Sequence, residues 1–185
     1  MEFISKNPKV FILCGKSGNG KTFLSEIMKD IFKEKNESTI CLAYADQLKE
    51  YAKHITDWDG KEETKPRELL QQLGSSLVRG KLNDKTLLIR RVMEDISVYA
   101  YFFDNVIITD ARFAPEIDMI KEKYKDAVSI HLYGRDNLSL TEEQRKHDTE
   151  TSLDDYNNYD FSIDNSGNKE DLINKIKDVL KEIGE

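Results

Sequence analysis

Cysteine, proline and tryptophan are scarce in this chain, with two, three and one copies in 185 residues. Cys14 and Cys41 lie in separate apolar, strand-like runs. They read as reduced, buried thiols of a cytosolic protein and not as a disulfide framework. No apolar run approaches the ~20 residues of a membrane span. Residues 1–8 are polar and hold no signal-peptide core, so a cytoplasmic setting is expected. Without a secretion signal, the glycosylation acceptor strings Asn36-Glu-Ser38 and Asn137-Leu-Ser139 carry no weight. Positive charge is in deficit: Lys and Arg number 28 against 35 Asp and Glu, a net charge of −7. The isoelectric point near 5.2 argues against a nucleic-acid partner, although a local basic cluster around a small anion remains compatible with it. Repeats and low-complexity tracts are absent. So are a Cys/His cluster of zinc-ligand spacing and a Ser/His/Asp constellation.

What is present is ordinary globular material. The apolar fraction is 38% and aromatics make up 9%, enough to argue against disorder despite a mean hydropathy of −0.62. A chain of this length hides roughly 70% of its unfolded surface and suits a single domain over residues 1–185. Apolar runs at 10–14, 38–45, 105–109, 127–133 and 159–163 read as strands. Between them, helical spacing places Phe23, Leu24, Ile27, Met28, Ile31 and Phe32 on one face. Pro66 is suited to the first turn of a helix whose buried face is Leu69, Leu70, Leu73 and Leu77. Asp84 is suited to cap another helix, with Leu88, Val92, Ile96 and Tyr99 inward. Pro115 opens a helix, Thr141-Glu-Glu-Gln144 is a capping-box pattern, and a last amphipathic helix runs from Leu172 to Ile183. Residues 56–65, which hold Trp58, read as an exposed loop. The alternation predicts an α/β fold, a parallel sheet covered on both faces. The two helices before strand three suit an inserted helical region at about 46–104, and the polar stretch at about 135–150 suits a short lid. Ligands in such folds bind beyond the carboxyl ends of the strands.

The most specific motif stands there. Gly15-Lys16-Ser17-Gly18-Asn19-Gly20-Lys21-Thr22 satisfies G-x-x-x-x-G-K-[ST] between a predicted strand and a predicted helix. Glycines let backbone N–H groups wrap a polyphosphate, and the helix N-terminus adds partial positive charge. Lys21 is suited to the β/γ-phosphates of ATP, and Thr22 to Mg²⁺. The motif establishes nucleotide binding without naming the reaction. Asp57-Trp-Asp-Gly60 and Asn168-Lys-Glu-Asp171 imitate GTPase motifs. The first follows no strand, however, and the second reads as the polar first turn of the last helix.

A phosphotransferase needs cations for its acceptor, and arginine is preferred for its bidentate fork. Arg67 and Arg79, with Lys65, flank the Leu-rich helix. Arg112 follows strand three, Arg135 follows strand four, and Arg145 lies in the lid segment. Arg90 and Arg91 are mid-helix, where a solvated surface role is the simpler reading. Asp110 has a Walker-B-like position suited to Mg²⁺ or its water, and Asp46 is placed to meet an acceptor hydroxyl. Each also fits a helix N-cap. His147 in the polar lid carries no assignable role.

Ala45-Asp46-Gln-Leu-Lys49, Arg67-Glu-Leu-Leu-Gln71-Gln-Leu-Gly74 with Arg79, and Ile108-Thr-Asp110-Ala-Arg112-Phe113 follow the phosphate loop in one order. Leu140-Thr-Glu-Glu-Gln144 with His147 and Glu150, then Ile163-Asp-Asn165-Ser-Gly167, complete the set. Together, over about residues 9–182, they resemble the bacteriophage-type deoxynucleoside monophosphate kinase family. The resemblance implies a P-loop three-layer fold with a five-stranded parallel core, a helical monophosphate-binding insertion and a short lid. It implies transfer of the ATP γ-phosphate, with Mg²⁺, to a deoxynucleoside monophosphate (dNMP). By position, Asp46, Arg67, Gln71 and Arg79 would face the monophosphate, with Asp110 and Arg112 near the transferring phosphoryl. Arg135 and Arg145 would belong to the lid, and Asn165 and Gly167 would lie by the adenine. Ser75-Ser76 stand where the family pattern has Thr-Glu, Ala114-Pro115 where it has Pro-Asn, and Thr149 where it has Ser. The alternatives from the residues alone are a P-loop kinase for dephospho-coenzyme A or phosphomevalonate, and a nucleotide-dependent ATPase switch. Base preference, sugar selectivity, viral or bacterial source, and monomer against homodimer stay open.

Overall fold

The computed structural model describes residues 2–137 and 140–185. Leu138 and Ser139, inside the expected lid and the second glycosylation string, lie outside the described residues. The strands are β1 (Lys9–Cys14), β2 (Thr39–Leu42), β3 (Asn105–Ala111), β4 (Val128–Tyr133) and β5 (Phe161–Asp164). They form one parallel sheet in the order β2-β3-β1-β4-β5. Strand alternation divides the apolar residues between two cores. Val10, Ile12, Val106 and Ile108 face one side. Phe11, Leu13, Ile107, Ile130 and Leu132 face the other, where they meet α1 (Lys21–Glu34) and α8 (Lys169–Glu182).

Between β2 and β3 lie α2 (Tyr44–Thr56), α3 (Arg67–Gln72), a π-helical segment (Leu73–Lys81) that continues α3, and α4 (Leu87–Tyr99). After β3 comes α5 (Ala114–Lys123). The return from β4 to β5 carries two single turns, α6 (Glu142–Arg145) and α7 (Asp148–Thr151). Thr141 and Gln144 make the expected capping box at α6. Asn168 caps α8 by accepting from the Glu170 and Asp171 N–H groups, so the N-K-x-D string is a helix start. Asp57 of the other GTPase-like string is the left-handed C-cap of α2, at φ 52°.

Four expectations shift. The second strand stops at Leu42, and Tyr44 and Ala45 open α2 instead. The Asp110 carboxylate accepts their N–H groups at 2.7 and 3.0 Å and caps α2 from another strand. Leu77 is exposed and Val78 is buried, because i→i+5 winding places Val78, five residues beyond buried Leu73, on the inner face. Phe23 is exposed on α1, under the Lys169 ammonium. Asp84 caps no helix directly; it binds Thr86 and Arg90 just before α4.

Candidate active site

The phosphate loop follows β1, at the carboxyl edge of the sheet. Gly15 and Gly20 have φ of 133° and 93°. A Cβ at Gly15 would strike the Leu132 carbonyl, and one at Gly20 would strike the Asn165 side chain. Only glycine fits either place. Asn19 and Asn165 are buried behind the loop. Asn19 Nδ2 donates to the Leu132 carbonyl at 2.8 Å, and Asn165 Nδ2 donates to the Asn19 carbonyl at 2.9 Å. Both side chains therefore hold the loop in shape. Lys21 is buried and donates to the Gly15 and Lys16 carbonyls at 2.7 and 2.9 Å. Burial, then the nearby Arg112 guanidinium, push its amine down to about 7. Thr22 is exposed in the first turn of α1.

Two cavities flank a common wall. One, of about 400 Å³, opens between α2, α3, the π-helical segment and the α6–α7 segment. Lys49, Lys65, Arg67, Arg79 and Arg112 line it, together with Gln71, Ser75, Gln144 and His147, and the single carboxylate is Glu150. The other, of about 390 Å³, includes Gly15, Lys16 and Asn19 of the phosphate loop, with His131, Arg135 and Tyr159. Thr149 and Glu150 line both.

The arginines are held differently. Arg79 lies on the π-helical segment, five residues from Gly74, and donates to its carbonyl at 3.4 Å. Its guanidinium stacks 4.0 Å from the Phe113 ring centroid and pairs with the Glu116 carboxylate at 3.0 Å. Glu116 is itself buried and accepts the N–H groups of Arg112 and Phe113 at 2.7 and 3.1 Å. Burial drives this acid up to about 7, with the neighbouring Asp110 carboxylate adding to the effect. Burial also raises Asp110, against the pull of the two α2 amides. Arg112 donates to Glu150 Oε1 at 2.8 Å, and the Ser17 N–H donates to Glu150 Oε2 at 2.8 Å. Arg67 is exposed at the cavity rim, paired with Glu62.

Other residues singled out in the sequence make local contacts, whether or not they line a cavity. Asp46 accepts the Ala43 N–H and pairs with Lys49, so it caps α2 and is not among the cavity-lining residues. Arg135 donates to the Asn165 and Gly167 carbonyls at 2.6 and 2.8 Å, which ties β4 to the loop after β5. Arg145 turns onto the Asn137 and Leu140 carbonyls of its own segment. Arg90 and Arg91 pair with Asp84 and Glu94 on the surface. His147 Nδ1 accepts the Thr149 N–H and caps α7. Sequence reasoning gave no role to Glu116, Glu150, Lys49 or Ser75. Glu150 stands within the quoted motif with His147, and Glu116 lies three residues after Phe113 of the Arg112 motif. An acid kept among phosphate-binding arginines needs a cationic or amide partner, and that was the available signal.

Five cations around one cavity, beside a nucleotide-binding loop, are what an anionic second substrate requires. The family model for deoxynucleotide monophosphate kinases matches residues 9–176. The chain belongs to the deoxynucleotide monophosphate kinase family. It is a phosphotransferase acting on a nucleotide monophosphate. No curated protein sequence matches it. Among solved structures, the Mycobacterium tuberculosis APS kinase Cys556Ala mutant is 14% identical, with 94% of this chain and 97% of that one covered and a TM-score of 0.55. A sugar kinase from Janibacter sp. is 16% identical, over 94% and 95% of the two chains, with a TM-score of 0.56. At such identities the likeness shows the fold alone, and that fold is shared by P-loop kinases of several substrate classes. For this kinase, the cationic cavity and the phosphate loop are therefore the places to look for residue roles.

Proposed function

We propose that the protein transfers the γ-phosphoryl group of ATP to a deoxynucleoside monophosphate, forming dNDP and ADP. The observation that carries this reading is the cationic cavity sharing the Thr149–Glu150 wall with the phosphate-loop cavity. Two anionic substrates can meet there only if their charge is neutralised from both sides. On this reading the loop amides and Lys21 hold the donor. Arg67 and Arg79, with Gln71 beside them, hold the acceptor phosphate, and Arg112 stands between the two. An acceptor phosphate oxygen forms the new bond to the γ-phosphorus as the bond to the β-bridging oxygen breaks, and ADP leaves with that electron pair. The acceptor phosphate is mostly dianionic near neutral pH, its second pKa being about 6, so no strong general base is needed.

Among the described residues no cluster of three or more His, Cys, Asp or Glu groups could hold a metal alone. Mg²⁺ in kinases takes one or two protein oxygens, substrate phosphates and water, and the Thr22 hydroxyl with the Asp110 carboxylate suits that pattern. The ion, when bound, neutralises charge on the transferring phosphates. A cytoplasmic setting and a small-molecule acceptor in place of a nucleic acid go with this reading. Lys21→Ala tests it: turnover should fall at least about a hundredfold with the thermal unfolding transition retained. Unchanged turnover in the folded variant would overturn the assignment.

A further inference from the structure

Glu150 is the one acid in the cationic cavity, and its two oxygens are divided between two functional donors. Oε2 takes the phosphate-loop N–H of Ser17 and Oε1 takes the Arg112 guanidinium, each at 2.8 Å. The side chain is only 11% exposed. A phosphoryl group is likewise an oxyanion that loop amides and an arginine fork grip. The neighbouring contacts fasten the same segment. Lys16 pairs with Asp154 at 2.6 Å, and the Ser152 hydroxyl donates to the Arg112 carbonyl.

We propose that Glu150 is a displaceable surrogate for the transferring phosphoryl group, a positioning residue acting through Ser17 and Arg112. The inference rests on the kinase reading of this site. The carboxylate keeps both donors aligned and dry until a nucleotide phosphate competes for them. Two oxyanions cannot share one N–H and one guanidinium edge without repulsion, so nucleotide binding detaches Glu150 and loosens residues 147–154 from the phosphate loop. A lid that simply closes over its substrate would do the opposite.

Hydrogen exchange on the full chain, with and without ATP·Mg²⁺, separates the two. Exchange in residues 147–154 should rise about tenfold on ATP addition, while residues 15–22 become protected. In Glu150→Gln the amide can accept one bond but sets its own N–H groups against the other donor. Residues 147–154 should then exchange fast without nucleotide, and ATP should bind about five- to tenfold more tightly by calorimetry. Protection of 147–154 alongside 15–22 in the native chain would overturn the proposal, whatever the variant does. So would unchanged or weaker ATP binding by folded Glu150→Gln. If neither protein shows protection of 15–22 or binding heat, the kinase reading fails, and this inference fails with it.

Discussion

Lys21 and Glu116 are the two side chains whose charge the fold strains most usefully. The Lys21 amine is held down to about 7 by burial and by Arg112, so at pH 8 much of it is neutral in the free protein. Phosphates beside it favour the charged form and raise its pKa. ATP binding at pH 8 should therefore take up a large fraction of a proton, read as the dependence of calorimetric heat on buffer ionisation enthalpy. Binding with no proton uptake would contradict this. Glu116 acts through Arg79. Glu116→Gln can still accept the Arg112 and Phe113 N–H groups, but it presents an amide to a guanidinium. It should raise the acceptor KM about tenfold and leave the ATP KM unchanged. Equal changes in both would point to general loosening instead. The Glu116 role was not legible in the sequence, because an acid near a motif does not disclose which neighbour it faces, whereas the phosphate-loop motif pointed to Lys21 directly.

At the scale of elements, the informative departure is the winding of residues 73–81. Apolar spacing of three and four put Leu77 inside, whereas the π-helical segment buries Leu73 and Val78. Leu73→Ala should cost ~2–4 kcal/mol, and Leu77→Ala no more than about 0.5 kcal/mol. At this chain length, the first corresponds to a fall in Tm of several degrees or more. Comparable losses at both positions would restore the α-helical register, in which Leu73 and Leu77 share one face. Asn165 raises a question of the same scale, since its side chain holds the phosphate loop through the Asn19 carbonyl. Asn165→Ala should raise the KM for ATP and for GTP by a similar factor, whereas a direct adenine contact would weaken ATP selectively. The strands that carry Asp110 and precede Arg135 were readable from their apolar runs, although β3 extends two residues beyond its run, through Asp110 to Ala111. The start of α2 was not, because the acceptor of its first two N–H groups is Asp110, 66 residues from Tyr44, with Asp46 closing only the Ala43 N–H.

In the whole molecule, the phosphate loop, the start of α2, Arg135 and Asn165 all follow carboxyl ends of strands, and Asp110 lies at the carboxyl end of β3, where open α/β sheets place ligands. Local signals sufficed for that much: one loop motif, strand-helix alternation, and arginines after strands. Convergence of the cations on one cavity depends on packing across the inserted helices, which no local pattern encodes. Asp46 and Arg145 were drawn into the expected site by order along the chain, and in three dimensions each is engaged elsewhere. The account stands on the claim that the cationic cavity receives the phosphate of a deoxynucleoside monophosphate. The most direct measurement is the initial rate of ADP release from ATP·Mg²⁺ alone, with each of the four dNMPs, and with the four ribonucleotides. The account predicts slow release from ATP alone and rapid, saturable release with one or more dNMPs. Release at one rate whatever acceptor is present would contradict it and mark the protein as an ATPase.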